Sequence, residues 1–482
     1  MDEFIPIWKT LTNILRVKLT IFLCLVLSSC ATYYHLNHDF NRNFELGDLS
    51  AAEKLLNDNT DASNSKEKFL YFLNRGTVAA LLDKPEESNR FFEQAYLFGE
   101  DYQTNYLNEV GALFSNPNFV QYKGEDHEHL VLLYYKVMNY LKLGDRESAL
   151  VECRRLNTRL DKYADKYKNE NRYRRDAFIH NLMGIIYDAD HDYNNAFIAY
   201  RNSYNIYKDE YHEAFGIEAP KQLEEDLLRT AYLNGFFTEL EQYENEFKRR
   251  YRPDKKSGGD LVFFWNNGLG PIKSEWSVNF SVVKGSGGSV SFVNEEYGLD
   301  FPFLDNSADA EGNLNDLRVF RVAFPKYVAR EPLYASAILV AGNKSSRLEL
   351  AEDLNQIAMK SLDARMHLEM GKSLLRAALK KASEKAVRNE NETLGTLLGM
   401  VNAATEKADT RNWQTIPHSI YYTRVSLEEG EQDVKLKTKA KGENAEYSQV
   451  LDFKFFIENN QTEFFTFYSL EMAPQFTPVV SR

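Results

Sequence analysis

Cysteine is scarce in this chain: three among 482 residues, at positions 24, 30 and 153. Two of them fall in the first thirty residues, so the rest of the chain has a single thiol and no intramolecular disulfide to lean on. Cys153 sits in LVECRRL, on an apolar helical face, and reads as a buried small hydrophobe rather than a nucleophile. Positive charge is also in deficit. Lysine and arginine number 58 against 71 aspartates and glutamates, a net charge of −13. That balance lacks the basic face that nucleic acid requires, so none is expected as a partner. Long hydrophobic runs are missing too. The stretch Leu19–Leu27 is nine residues, and a spanning helix needs about 20.

Catalytic and metal-binding signatures are equally thin. The EDHEH stretch (Glu125–His129) offers His-x-His without a third histidine nearby, and reads as an exposed polar loop. Asp188, Asp190 and Asp192 mimic the start of a calcium loop. Tyr193 stands where the bend needs glycine, however, and Ala199 where a bidentate glutamate belongs. Gly342-Asn343-Lys344-Ser345 lacks the upstream glycine of a phosphate loop, and Gly285–Ser289 lacks the spacing of a nucleophile elbow. No metal, no cofactor and no catalytic residue are expected.

What is present begins at the N-terminus. Lys9, Arg16 and Lys18 precede the short apolar run, and small residues follow it, which is the layout of a secretory signal. Leu27-Ser28-Ser29-Cys30 resembles a bacterial lipobox. The resemblance implies cleavage before Cys30 and lipid attachment to its thiol, a durable membrane anchor when two or three acyl chains are carried. Removal of residues 1–29 leaves 453 residues with a net charge of −14. Ala31 follows the cysteine, with no aspartate and no acidic cluster after it. By the same resemblance, the expected address is the outer membrane, periplasmic face.

Internal repeats fill the first half. Phe72-x2-Arg75-Gly76-x2-Ala79-x8-Ser88-x3-Phe92 aligns with Leu133…Tyr140…Ala149…Cys153 and with His180…Gly184…Tyr187…Ala196…Tyr200. The pattern resembles the tetratricopeptide repeat. Small residues at Gly76, Ala149, Gly184 and Ala196 permit two helices to cross closely, while Phe92, Tyr140, Tyr187 and Tyr200 fill the space between. Gly47-Asp48 marks a further half-repeat, and a weaker pair falls between Glu224 and Arg250. The expected domains are a lipidated tether over 30–43, an α-solenoid over 44–252 and an α+β domain over 253–482. The solenoid's groove is either open to a partner or filled by the second half of the chain.

The pattern changes at Arg252-Pro253-Asp254-Lys255-Lys256-Ser257-Gly258-Gly259, a boundary by its proline, glycine and charge. DLVFFWNNG, EWSVNFSVV, LRVFRVAFPKY and LYASAILVAG read as strands. Helical periodicity returns over about 346–407. HSIYYTRVSL, EQDVKLKTK, SQVLDFKFFIE and EFFTFYSLEM then read as strands, with Glu428-Glu429-Gly430 as the turn of a hairpin. The fold class is therefore α+β: a tetratricopeptide-like α-solenoid followed by a mixed α+β domain with inserted long helices.

AFPKY (Ala323–Tyr327), the helical region, TEKADTRNWQTIP (Thr405–Pro417) and the VSLEEGEQDVKL segment together resemble a family of bacterial outer-membrane lipoproteins. That family has a lipobox, a helical-repeat half and this C-terminal region. The resemblance implies architecture and location but no chemistry. Asp409, Arg411 and Trp413 are its most distinctive residues, read as an ion pair and a buried indole at a helix-to-strand corner. The leading functional expectation is a non-enzymatic scaffold that binds an envelope protein in the repeat groove. The alternative is a module that binds peptidoglycan or a small envelope ligand in a cleft between the halves. A hydrolase with a site assembled in the C-terminal domain comes third.

Overall fold

A computed structural model describes residues 37–103, 120–167, 175–253, 258–284, 290–296, 298–303, 319–390, 392, 407–442 and 448–472. Leu27, Ser28, Ser29 and Cys30 lie outside the described residues.

Residues Met1–Thr60 and Asp61–Arg482 form two compact units. In the first, α1 (37–45) and α2 (Leu49–Asp58) meet at a turn. Gly47 takes φ +74° there, and Asp48 caps α2 by accepting from the Ala51 amide at 2.9 Å.

The second unit opens with four helical hairpins: α3 (Lys68–Leu81) with α4 (Pro85–Gln103), α5 (Asp126–Lys142) with α6 (Arg146–Tyr167), α7 (Ala177–Ala189) with α8 (Tyr193–Ile206), and α9 (Lys221–Leu233) with α10 (Phe237–Glu246). Glycine sets the crossing in two of them. A Cβ on Gly76 would sit 2.7 Å from the Phe92 ring, and one on Gly184 would sit 2.4 Å from Tyr200. Serines tie the same pairs. Ser88 Oγ donates to the Gly76 carbonyl, and Ser203 Oγ to the Ala177 carbonyl, each at 2.7 Å. Ala149, Ala196 and Cys153 are fully buried, and burial pushes the Cys153 thiol up, away from the reactive thiolate. Tyr140 and Tyr187 are half-buried.

Among the described residues the strands make three four-stranded sheets, ordered β12-β1-β9-β8, β11-β10-β6-β7 and β4-β3-β2-β5, with β4 at Leu299–Phe303. β1 (Gly259–Leu269) is buried at every position. It lies between β12 (Thr462–Ser469), parallel to it, and β9 (Pro417–Leu427), antiparallel. Its two faces go to different layers, as strand pleating requires. Leu261, Phe263 and Trp265 join a core with β6 (Tyr334–Ala341), β10 (Gly430–Ala440) and β11 (Gln449–Ile457) of the second sheet. Phe264 and Asn266 face the helices. Phe264 lies 6.3 Å from Phe178 on α7, and Asn266 accepts from Tyr134 on α5 at 2.8 Å.

The inner helices are therefore covered on both sides. α5 is buried almost without interruption from His127 to Leu141, the signature of a helix enclosed by its own protein. Other contacts run along the layer. Tyr207 donates to the Ala351 carbonyl at 2.7 Å, and the Gln222 amide to Glu349 at 3.0 Å. The strands thus pack directly against one face of the hairpins. In the third sheet, β2 (Ile272–Lys284) pairs with β5 (Val319–Val328) and β3 (Val290–Asn294). The long helix α11 (Leu354–Glu390) packs on it through Met370, Leu374 and Ala377.

Two expectations change. The helix begins at Leu354, not near residue 346, because β7 (Lys344–Arg347) pairs with β6 and β8 (Glu349–Asp353) pairs with β9. Glu428-Glu429-Gly430 is not the turn of a hairpin. β9 and β10 belong to different sheets, and Gly430, at φ +104°, starts the strand of the second one.

Candidate functional site

Asp409, Arg411 and Trp413 come together with residues from across the chain. Asp409 accepts from Arg411 Nε at 2.9 Å and Nη2 at 2.7 Å, a bidentate pair. Arg411 Nη1 donates to the Val120 carbonyl at 3.0 Å, and its guanidinium lies 5.1 Å over the Tyr122 ring. Trp413 is fully buried, 5.9 Å from Phe92 and 5.7 Å from Tyr135. Its Nε1 donates to Thr415 at 2.8 Å.

The EDHEH stretch is not an exposed loop. Glu125 caps α5, and Glu128 completes a capping box with it. The Glu128 carboxylate is wholly buried and accepts from the Trp413 amide at 2.6 Å, from Tyr122 Oη at 2.9 Å and from the Glu125 amide at 3.0 Å. Burial nonetheless pushes its pKa up to about 7 against those bonds. Glu125 in turn pairs with Lys273 of β2 and Arg365 of α11. His127 is buried, and burial pushes its ring down to about 3, so it stays neutral. Tyr327, from AFPKY, stands edge-on to it at 5.8 Å. The stretches that stood out in the sequence thus meet at one buried joint.

A larger cleft, about 570 Å³, opens where α9 and the α7–α8 turn meet the ends of β1, β9 and β12. Gln222, Glu225, Asp226, Arg229, Tyr232 and Leu233 line it, at the three- and four-residue steps of one face of α9. Tyr251 follows α10, with its ring 5.3 Å from Tyr232. Tyr193 stands on the α8 side, and Asn459, Asn460 and Gln461 form the strand-side rim. Asn460 Nδ2 lies 3.1 Å from His191 Nε2, linking that rim to the helix turn. Gly258 and Gly259 let the backbones close up. At φ +102°, a Cβ on Gly258 would meet the Leu427 carbonyl at 2.0 Å, and one on Gly259 would meet the Gln461 carbonyl at 2.4 Å.

The floor of the cleft is an ion network. Asp188 accepts from Arg424 Nη1 at 2.6 Å, Arg229 Nη1 at 3.0 Å and Tyr200 Oη at 3.1 Å. Arg229 also donates to Asp226 at 2.9 Å. Arg424 lies 3.5 Å from Asp226 and 3.8 Å from Asp260. Burial alone would raise Asp188, but Arg424 and Arg229 overrule it and hold the carboxyl well below its usual range. The upper wall is less occupied. Arg249 donates Nη1 to Glu225 at 2.8 Å, while its buried Nη2 has no partner among the described residues. Five arginines and four carboxylates line the whole cleft, close to charge balance.

The sequence pattern marks Asp188 only as the start of an incomplete calcium loop and does not single out Arg424. The available signal was an aspartate ending an apolar helix, where the helix dipole disfavours an anion unless a cation answers it. Among the described residues, no group of three or more histidine, cysteine or acidic side chains is placed to hold a metal.

No family model matches this chain, and no curated protein is similar to it. Among solved structures, the crystal structure of BtubC (BKLC) from P. vanneervenii is similar over 47% of this chain and 84% of that one, with 14% identity and a TM-score of 0.32.

Proposed function

We propose that this chain is a lipid-anchored envelope protein that binds a cell-wall glycan in the tyrosine-lined cleft, without catalysis. The observation that carries this reading is the composition of that cleft. Aromatic faces from Tyr193, Tyr232 and Tyr251 stand beside amides from Gln222, Asn459, Asn460 and Gln461. Ring faces pack against the C–H side of a sugar, while amides and arginine meet its hydroxyls and acidic substituents. The near-balanced charge suits a largely neutral polar ligand. The floor's charges are engaged with one another, which favours holding over chemistry. The hairpins are read as tetratricopeptide-like repeats whose inner surface serves the protein's own strands. A scaffold role would then have to use the outer helices.

The test is co-sedimentation of the mature chain with purified peptidoglycan. Tyr232→Ala combined with Tyr251→Ala should weaken binding about tenfold. Tyr232 is exposed and Tyr251 half-buried, and neither belongs to the core, so the circular dichroism spectrum should stay unchanged. Absence of co-sedimentation by the unaltered chain overturns the reading.

The anchor supports the same proposal through Leu27-Ser28-Ser29-Cys30. Mass spectrometry of the protein purified from membranes should find Cys30 as the first residue, carrying a diacylglycerol thioether. An unmodified thiol there would remove the outer-membrane assignment.

A further inference from the structure

A second cleft, of about 330 Å³, lies on the solvent side of the Asp409–Arg411 joint and is separate from the tyrosine cleft. Its walls are the 120–125 segment, Lys273 at the start of β2, Pro325 of β5, one face of α11 and residues 408–411. Arg365, Glu369, Lys372 and Arg376 fall on that helix face at three- and four-residue steps.

Charge distinguishes this cleft. Lys123, Lys273, Arg365, Lys372, Arg376 and Arg411 face Glu125, Glu369 and Asp409, three cations in excess on a chain whose net charge is −13. Two of the carboxylates are fully engaged inside the wall. Glu125 takes Lys273 and Arg365, and Asp409 takes the fork of Arg411. Arg365 Nε is buried and has no partner among the described residues, and Lys372 is exposed at the mouth. The cations come from a helix, a strand and a loop, so the cleft's excess positive charge surrounds it from several directions. A tetrahedral dianion meets that arrangement better than a planar monoanion does. The volume exceeds that of a bare phosphate and admits a small group attached to it.

We infer that this cleft binds a phosphate monoester, carried either by a soluble metabolite or by a lipid headgroup. The site is independent of the tyrosine cleft, so the failure of either proposal leaves the other standing.

The experiment is calorimetric titration of the full mature chain with inorganic phosphate, with citrate as a carboxylate comparison and sodium chloride held constant. Phosphate should bind saturably at one site, more tightly than citrate. Lys372→Ala combined with Arg376→Ala should weaken it about tenfold, as expected when charge-assisted contacts are lost. Lys372→Ala alone removes an exposed side chain, so it keeps the test valid if the double variant folds poorly. It should weaken phosphate by a measurable part of that factor. Vesicles with and without an anionic phospholipid then separate the sources. Capture that falls in the double variant assigns a headgroup, and phosphate binding without capture assigns a soluble ester. No saturable phosphate binding, equal affinity for citrate, or affinity unchanged in both variants overturns the inference.

Discussion

Replacing Arg424 by alanine should destabilise the protein by roughly 3–5 kcal/mol, the cost of stranding buried carboxylates by removing one partner. The side chain reaches from β9 into the helical layer and pairs with Asp188, at 3% side-chain exposure, and Asp226, at 1%. It also donates to Tyr200 Oη at 3.1 Å. Without it, Asp188 and Asp226 keep Arg229 as their remaining guanidinium, while Asp260 keeps the Ser426 hydroxyl. Asp188 would suffer most, because it ends α7, where the helix dipole adds its own unfavourable potential. Arg424→Lys should recover little, since one ammonium cannot serve Asp188 and Tyr200 from two nitrogens. Urea unfolding at pH 7 reads the effect. A double-mutant cycle with Asp188→Asn should show strong coupling, the double variant costing less than the sum of the single ones. A loss below about 1 kcal/mol for Arg424→Ala would mean that water reaches the network and screens it. The pH dependence has a fixed sign. The Asp188 carboxyl is held low in the folded state, so its contribution is present above the unfolded carboxylate value of about 3.9 and is lost as pH falls.

Much of this architecture was written locally and could be read there. The glycine-to-aromatic spacing of Gly76 with Phe92 and of Gly184 with Tyr200 lies within one hairpin, so it survives in the sequence as a pattern. The unbroken apolar run of β1 announced a strand buried on both faces. What stayed hidden depends on partners far along the chain. Arg424 finds Asp188 at a separation of 236 residues, and neither position has a local pattern that names the other. Glu128 misled for a different reason. Its charged neighbours suggest solvent, yet Glu125 and Glu128 satisfy a helix start, and that local task carries them inside. The Glu428–Gly430 segment shows the limit of turn chemistry. A glycine with positive φ bends the chain equally well whether the next strand pairs with the last one or crosses to another sheet.

The same buried joint should make stability depend on pH through Glu128. Glu128 has a folded value of about 7 against an ordinary 4.5, raised by burial in spite of three donors. A carboxyl raised in the folded state binds its proton more tightly there. Its favourable contribution is complete below about pH 4.5, declines as the pH rises, and is gone above about 7. The swing across that window is about 3 kcal/mol. Other groups titrate nearby, so the informative quantity is the difference between the unaltered chain and Glu128→Gln. The glutamine amide can still accept from Trp413 through its oxygen, but its NH2 cannot accept from the Glu125 amide. The variant should therefore be less stable than the parent at pH 5, by about 1–2 kcal/mol for the lost capping bond. As pH rises to 8, the parent loses its advantage and the two curves should converge or cross. Parallel curves across pH 5 to 8 would show that Glu128 stays ionised throughout. The donors from Trp413, Tyr122 and Glu125 would then outweigh its burial.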